Sequence, residues 1–241
     1  MFIDKQSPIP MYHQIMENLK KQIEDGTLAP DTLIPSEREY AERFGISRMT
    51  VRQALSNLVN EGYLYRQKGK GTFVSRKKFE QPLQGLTSFS EDMRQRGLKA
   101  SSQLIDFKKT ACPEHLLPVL QLTNSDTVFE LKRIRLANDE PMAIETSYIP
   151  ERFAGDLTKE HLTGSLYEYI ETHTGHVIAH AKQELEANVA SKEEAHLLSI
   201  LAGDPVLSIT RTTFFQKDIP FEYVVSVYRG DRYKLIHTME R

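Results

Sequence analysis

The chain has 241 residues, 39% of them apolar and 27% charged, which suits one large globular domain or two small ones. It holds no run of 18 apolar residues, so no membrane span is expected, and its single cysteine, Cys112, excludes an internal disulfide framework and reads as structural in a reducing cytoplasm. A net charge of −2 argues against nucleic acid until its distribution is seen. Residues 1–78 hold 13 Lys/Arg against 9 Asp/Glu, the remaining 163 hold 18 against 24, and residues 34–78 alone hold 10 against 4. A basic patch on an otherwise acidic chain points to one face that meets polyanion. The start, MFIDKQSPIPMYHQ, carries Asp4 and no apolar core, so no signal peptide is expected. The eight histidines are scattered, and neither a metal nor a cofactor is expected.

PIPMYHQIMENLKKQIEDG predicts a helix. Pro10 suits its first turn, Ile15, Leu19 and Ile23 keep a four-residue spacing, and Gly26 ends it. LAPDTLIP then reads as a turn-rich loop. In PSEREYAERFG, Ser36 and Glu39 have capping-box spacing, Tyr40, Ala41 and Phe44 face inward, and Gly45 stops a second helix. Ser47 can cap a third, with Val51, Ala54, Leu55, Leu58 and Val59 inside. Its outer face carries Arg48, Thr50, Arg52, Gln53, Ser56 and Asn57. Two helices joined by a short glycine turn have helix-turn-helix form. Arginine at the start of the second helix can read guanine, and hydroxyls at helix starts can hold phosphate. The alternative at this point is a solvated face beside Glu37, Glu39 and Glu42.

YLYRQKGKGTFVSRKK predicts a hairpin, with strands Tyr63–Gln67 and Thr72–Ser75. Gly69 and Gly71 permit a tight tip, and Lys68 and Lys70 make it a slim cationic finger suited to a minor groove. The stretch from Pro35 to Val74, with IPSERE, T-V-R-x-A-L and G-x-G-T-F-V, resembles the winged helix-turn-helix of the GntR family of bacterial transcription regulators over about 70 residues. Ile34 stands where that pattern has leucine. The resemblance implies that Arg38 and Arg48 read bases of double-stranded operator DNA. It implies too that Ser36, Ser47, Thr50 and Arg52 position the backbone and that Gly69 enters the minor groove. Gln53, Lys68, Lys70, Gly71 and Thr72 complete the expected DNA-binding set.

RKKFEQPLQGLTS, residues 76–88, reads as a linker between a DNA-binding domain of residues 1–75 and a second domain of residues 89–241. In the second domain two hairpins are predicted around NDEP and QKDIP, and a further strand in VIAHAKQELEA. Helices are predicted in SEDMRQRG, PEHLLPVLQL, SLYEYIETHTG and SKEEAHLLSIL. The fold class is therefore α+β, an antiparallel sheet carrying helices. Strand alternation puts Arg133 with Arg135, Glu145 with Ser147, and Glu222 with Ser226 and Tyr228 on shared faces. Phe221, Tyr223, Val225 and Val227 take the opposite face. Such a polar face is either an ordinary solvated one with cross-strand Arg–Glu pairs or the floor of a pocket. Ser165/Glu168 and Ser88/Glu91 form capping boxes, so two helix starts with paired arginines suit a phosphate, while Glu145 and Glu222 suit sugar hydroxyls or an amine.

RIRLANDEPMAIETSYIP and SVYRGDRY resemble the ligand-sensing domain of the HutC subfamily of GntR regulators, which has a chorismate-lyase-like fold. The likeness is close to regulators of N-acetylglucosamine utilisation. It implies a cytoplasmic homodimer acting as a repressor, with a glucosamine-6-phosphate or N-acetylglucosamine-6-phosphate effector. The phosphate would meet Phe89, Ser90, Arg133, Arg135, Ser165 and Tyr167, and the sugar Glu145, Glu222 and Tyr228. The alternatives are a lyase-like enzyme domain joined to a DNA-binding one, and a HutC-type regulator of another small-molecule pathway. No Rossmann, P-loop, zinc or nucleophile-elbow pattern supports an enzyme.

Overall fold

The computed structural model describes residues 3–67, 69–76, 78–154 and 156–239. The chain divides into two units, Met1–Lys78 and Phe79–Arg241. No helix among the described residues is long and apolar enough to cross a membrane.

The first unit packs three helices against a small sheet. Helix α1 (Met11–Glu24) starts after Pro10 and gives way at Asp25. Strand β1 (Leu33–Ile34) follows, where a loop is expected from the sequence; it pairs with β3 (Gly71–Val74), which also pairs with β2 (Leu64–Gln67). Two residues of β1 carry too little pattern to be read, and their pairing partner lies some forty positions away. Helix α2 (Glu37–Phe44) has its capping box formed: Ser36 Oγ accepts from the Glu39 amide at 3.2 Å, and the Ser36 amide donates to Glu39 at 2.7 Å. Gly45 ends it with φ +60°, a conformation glycine adopts without steric cost. Helix α3 (Arg48–Asn60) is capped by Ser47. Ile15 and Leu19 of α1, Val51, Leu55 and Leu58 of α3, and Leu64 and Val74 of the wing form one buried cluster. Each such side chain contributes about 1.5–3 kcal/mol by burial, which outweighs the mutual repulsion of an exposed basic surface.

The second unit is built on a six-stranded antiparallel sheet. Its members in chain order are β5 (Ala100–Ala111), β6 (Thr127–Ala137), β7 (Glu140–Pro150), β8 (Ile178–Val189), β9 (Pro205–Phe215) and β10 (Ile219–Arg229). They lie in the order β5-β6-β7-β10-β9-β8. Asn138 and Asp139 both have positive φ, the two-residue turn whose twist matches a tight hairpin. β5 is absent from the sequence reading. It is an edge strand, and a strand with one free edge and a mostly polar exposed side carries a weak apolar period.

Residues 76–88, expected as a linker, include a short strand. Phe79–Pro82 form strand β4, which runs parallel to β11 (Tyr233–Ile236) at the C-terminal side of the unit. Helix α4 (Phe89–Gln95) follows, capped by Ser88. PEHLLPVLQL forms only a 3₁₀ turn at Glu114–Leu116 rather than a helix. Pro118 explains this, since it has no amide to donate and so breaks the helical ladder, although Leu117 itself keeps helical backbone. Helices α5 (Glu151–Ala154) and α6 (Leu166–Thr174) cover one face of the sheet, packing on Leu131, Ile149, Phe215 and Phe221. Helix α7 (Lys192–Leu198) covers the other, against Ile144, Val206 and Val227.

Phe221 corrects the simple alternation. A register shift between Pro220 and Glu222 inserts it as an extra residue in β10. Phe221 thereby stacks on Phe215 and meets Tyr167 edge-on, on the same side as Glu222 rather than with Tyr223.

Candidate functional site

The first unit presents its polar residues at one end of α2 and α3 and on the wing. Arg48 is the first residue of α3 and is exposed. Ser47 Oγ accepts from the Thr50 amide at 3.1 Å and lies 2.8 Å from the Thr50 hydroxyl. Arg52 donates to Glu37 of α2 at 2.9 Å, and Arg38 to Glu42 at 2.7 Å. Gln53 is exposed beside Arg52. Ser36 keeps its hydroxyl at the start of α2.

On the wing, the Lys70 amide donates to the Gln67 carbonyl at 3.0 Å, and Gly69 and Gly71 have φ +75° and +126°. A Cβ on Gly71 would stand 2.7 Å from the tip of the exposed Leu33 side chain, which would have to swing aside; the φ of +126° is what favours glycine there. Lys70 is exposed and Thr72 half-buried; Lys68 lies outside the described residues.

The second unit contains a cavity of about 380 Å³ over the polar face of the sheet. That size lies in the range of small-molecule sites. Phe89, Arg135, Glu145, Ser165, Tyr167, Glu222 and Tyr228 all line it. The polar face is thus a buried floor, with Arg135, Glu145 and Glu222 all under 9% exposed. Two helix starts converge above it: Ser165 Oγ donates towards Ser88 Oγ at 3.5 Å, and each serine caps its own helix. Free amides and aligned dipoles at such starts favour an anion.

Arg133 and Ser90 stand one layer back from the cavity wall. Arg133 donates to the carbonyls of Leu162 and Gly164, at 3.3 and 3.4 Å, and so ties down the approach to α6. Ser90 Oγ accepts from Arg135 at 3.0 Å, while the Arg135 guanidinium lies 4.7 Å over the Phe89 ring. One oxygen of Glu145 takes both Arg133 and Arg135 at 3.3 Å. Arg135 Nε and the Tyr233 hydroxyl, in the cavity wall, are buried without a hydrogen-bond partner. Buried polar atoms of this kind suit a polar ligand.

The two carboxyl groups titrate in opposite senses. Burial raises Glu145, but the attraction of Arg135 and Arg133 outweighs it and holds the group below the usual carboxylate range. Burial, and then the Glu145 charge, push Glu222 above that range. Burial and the neighbouring Arg135 bring Arg133 down to about 10, still protonated at neutral pH. Burial also raises Tyr167, whose hydroxyl lies 2.9 Å from that of Thr213, and takes Tyr228 up to about 12. Because the folded value of Glu222 is raised, its contribution to stability is complete below the unfolded value and is lost as pH rises through the folded one. Glu222→Gln keeps the neutral shape at every pH. Its unfolding midpoint in urea is therefore expected to gain on the parent as pH rises above the unfolded carboxylate value; a constant difference would place the Glu222 charge in water.

Sequence reasoning missed Arg211. It lies on β9, lines the cavity and is held by Gln183 of β8. The signal was one arginine at an inward position of a strand rich in β-branched residues, visible only once the pairing order is known.

Comparison with known proteins agrees with both units. Residues 11–74 match the model for bacterial regulatory proteins of the gntR family, and residues 95–234 match the UTRA domain. The chain is 57% identical over 241 residues to the HTH-type transcriptional repressor NagR of Bacillus subtilis, covering 100% of this chain and 99% of that one. It is 32% identical to the mannosyl-D-glycerate transport/metabolism system repressor MngR of Escherichia coli, over 96% and 97% of the two chains. The crystal structure of PhnF from Mycobacterium smegmatis matches with a TM-score of 0.66 and 30% identity, over 95% of this chain and 98% of that one. The chain therefore belongs to the GntR family, in the HutC subfamily that joins a winged helix-turn-helix to a UTRA domain, a family of DNA-binding transcription regulators and not of enzymes.

Proposed function

We propose that the protein is a cytoplasmic repressor of amino-sugar uptake and catabolism genes, binding a palindromic operator as a homodimer and responding to glucosamine-6-phosphate or N-acetylglucosamine-6-phosphate. The observation that carries the effector reading is the polarity of the cavity. At one end two helix starts and Arg135 suit a phosphate; across the floor Glu145, Glu222 and Tyr228 suit a hydroxyl-rich ring. The 57% identity to NagR supports the same assignment. A two-fold protein on a two-fold operator sets half-sites about a helical turn apart.

On this reading the DNA-binding set is Ser36, Arg38, Ser47, Arg48, Thr50, Arg52 and Gln53 with the wing from Lys68 to Thr72. Arg133 and Ser90 act on the phosphate through Arg135 and the α6 approach rather than by forming the wall. Coupling follows the chain. The segment that leaves the wing enters β4, and Gln81–Ser88 contribute seven residues of wall, Gln84 excepted. A ligand that prefers one arrangement of this segment biases operator affinity by its own differential affinity, and the bias is reciprocal.

The test is fluorescence anisotropy of the protein on labelled operator at fixed salt, titrated with each sugar phosphate and with the unphosphorylated sugars. Release by a sugar phosphate and not by the free sugar supports the proposal. Operator binding indifferent to both overturns the effector and leaves a HutC-type regulator of another pathway.

A further inference from the structure

The floor of the cavity carries a cation that the phosphate end does not use. Arg211 on β9 is in register with Val224 of β10 and Gln183 of the edge strand β8. Gln183 Oε1 accepts from both Arg211 Nε, at 3.3 Å, and Nη2, at 3.1 Å. This fixes the plane of the guanidinium and occupies two of its five donors, with the Tyr167 hydroxyl as a further hydrogen-bond partner. Glu222 is its diagonal neighbour, since Glu222 faces Thr213, two residues along β9. Glu145 is committed to Arg133 and Arg135, whereas Glu222 takes part in no ion pair among the described residues. A donor-only guanidinium and an accepting carboxylate therefore stand side by side, both facing the cavity. The wall beside them is apolar and small: Ala179 and Ala181 of β8, with Ile209 of β9.

A secondary amide offers one N–H donor and one C=O acceptor, the complement of that pair. An ammonium group offers donors alone. It is attracted by Glu222, repelled by Arg211, and leaves the guanidinium donors unused where water is restricted, a costly outcome for buried polar groups.

We propose that Arg211, oriented by Gln183 and set beside Glu222, is the specificity determinant for an N-acyl group on the effector. The guanidinium donates to the acyl carbonyl, Glu222 accepts from the amide N–H, and the methyl lies against Ala179, Ala181 and Ile209. This rests on the reading of the cavity as an amino-sugar phosphate site. It adds that the N-acetylated ligand is preferred to the free amine and names the residues responsible.

The experiment is isothermal titration calorimetry of the full chain with N-acetylglucosamine-6-phosphate and with glucosamine-6-phosphate, at one pH and salt concentration. The parent is expected to bind the N-acetylated ligand more tightly. Arg211→Met is expected to cost that ligand about tenfold or more and the amine much less, so that the preference collapses. Both ligands carry the same phosphate, so lost attraction to it cancels in the ratio, and Gln183→Met, which keeps the Arg211 charge that repels the ammonium, separates the donated hydrogen bond from relief of that repulsion. Gln183→Met, on the edge strand and away from the packed core, is expected to narrow the preference in the same direction with Arg211 retained. Equal loss for both ligands, an unchanged ratio in both variants, or a parent with no N-acetyl preference overturns the assignment of Arg211. If neither sugar phosphate binds the parent, the underlying site reading is overturned, and this inference with it.

Discussion

Replacing Glu145 by leucine is expected to cost about 3–5 kcal/mol of stability, read as a fall in the urea midpoint followed by circular dichroism. The magnitude follows from what is left behind. One Glu145 oxygen takes both guanidinium groups at 3.3 Å, with Arg133 and Arg135 each less than 5% exposed in their side chains. Removing the carboxylate leaves two like charges adjacent and out of water. An exposed pair would be worth no more than about 1 kcal/mol, so the measured loss reports the depth of the triad. The triple variant with Arg133→Met and Arg135→Met as well is expected to recover much of the stability, because no charge of the triad then remains. A single-variant loss under 1 kcal/mol would mean that water reaches the triad. The sign with pH is opposite to that at Glu222: the depressed Glu145 contributes above the unfolded carboxylate value, and that contribution is lost as pH falls through its folded one.

Arg48→Ala is expected to weaken operator binding by about 1–3 kcal/mol and to relax the preference at one base position, with stability changed by no more than about 0.5 kcal/mol. Arg48 is distinguished from its neighbours by its freedom. Arg52 is tied to Glu37 and Arg38 to Glu42, so each must share its charge with a carboxylate, whereas Arg48 enters no ion pair among the described residues. Its position at the first turn of α3 is where a helix-turn-helix meets base edges. Anisotropy on operator and on scrambled DNA at matched salt decides between two roles. A larger loss on the operator makes Arg48 a base reader; equal loss on both makes it a phosphate contact.

What was legible in the chain was what its physics keeps local. The caps at Ser36, Ser47, Ser88 and Ser165 each bond to an amide three residues on, so their spacing alone identifies them. The Asn138–Asp139 turn is likewise settled within four residues. What escaped depends on partners far along the chain. β4 exists because β11, some 150 residues away, pairs with it, and β5 because β6 does. Phe221 changed sides through a bulge that alternation cannot announce. Arg211 became part of the site only when the order β7-β10-β9-β8 placed it beside Glu222. Arg133 shows the same limit from the other side: two arginines two apart do share a face, but one of them bonds the chain ahead of α6 while the other lines the cavity.

The parallel pairing of β4 with β11 has a mechanical meaning. The chain enters the second unit at Phe79 and runs out beyond Ile236, and these two residues lie at opposite ends of the four-residue ribbon. Tension applied between the two ends of the unit pulls the strands past each other along their length. Their ladder bonds, together with the Phe79 amide on Arg232 and the Leu83 amide on Ile236, then share the load instead of parting one at a time as in a hairpin opened from its mouth. Under such a pull the ribbon at the start of the second unit is thus loaded in shear, stiff along the line of pull and yielding to a sideways peel.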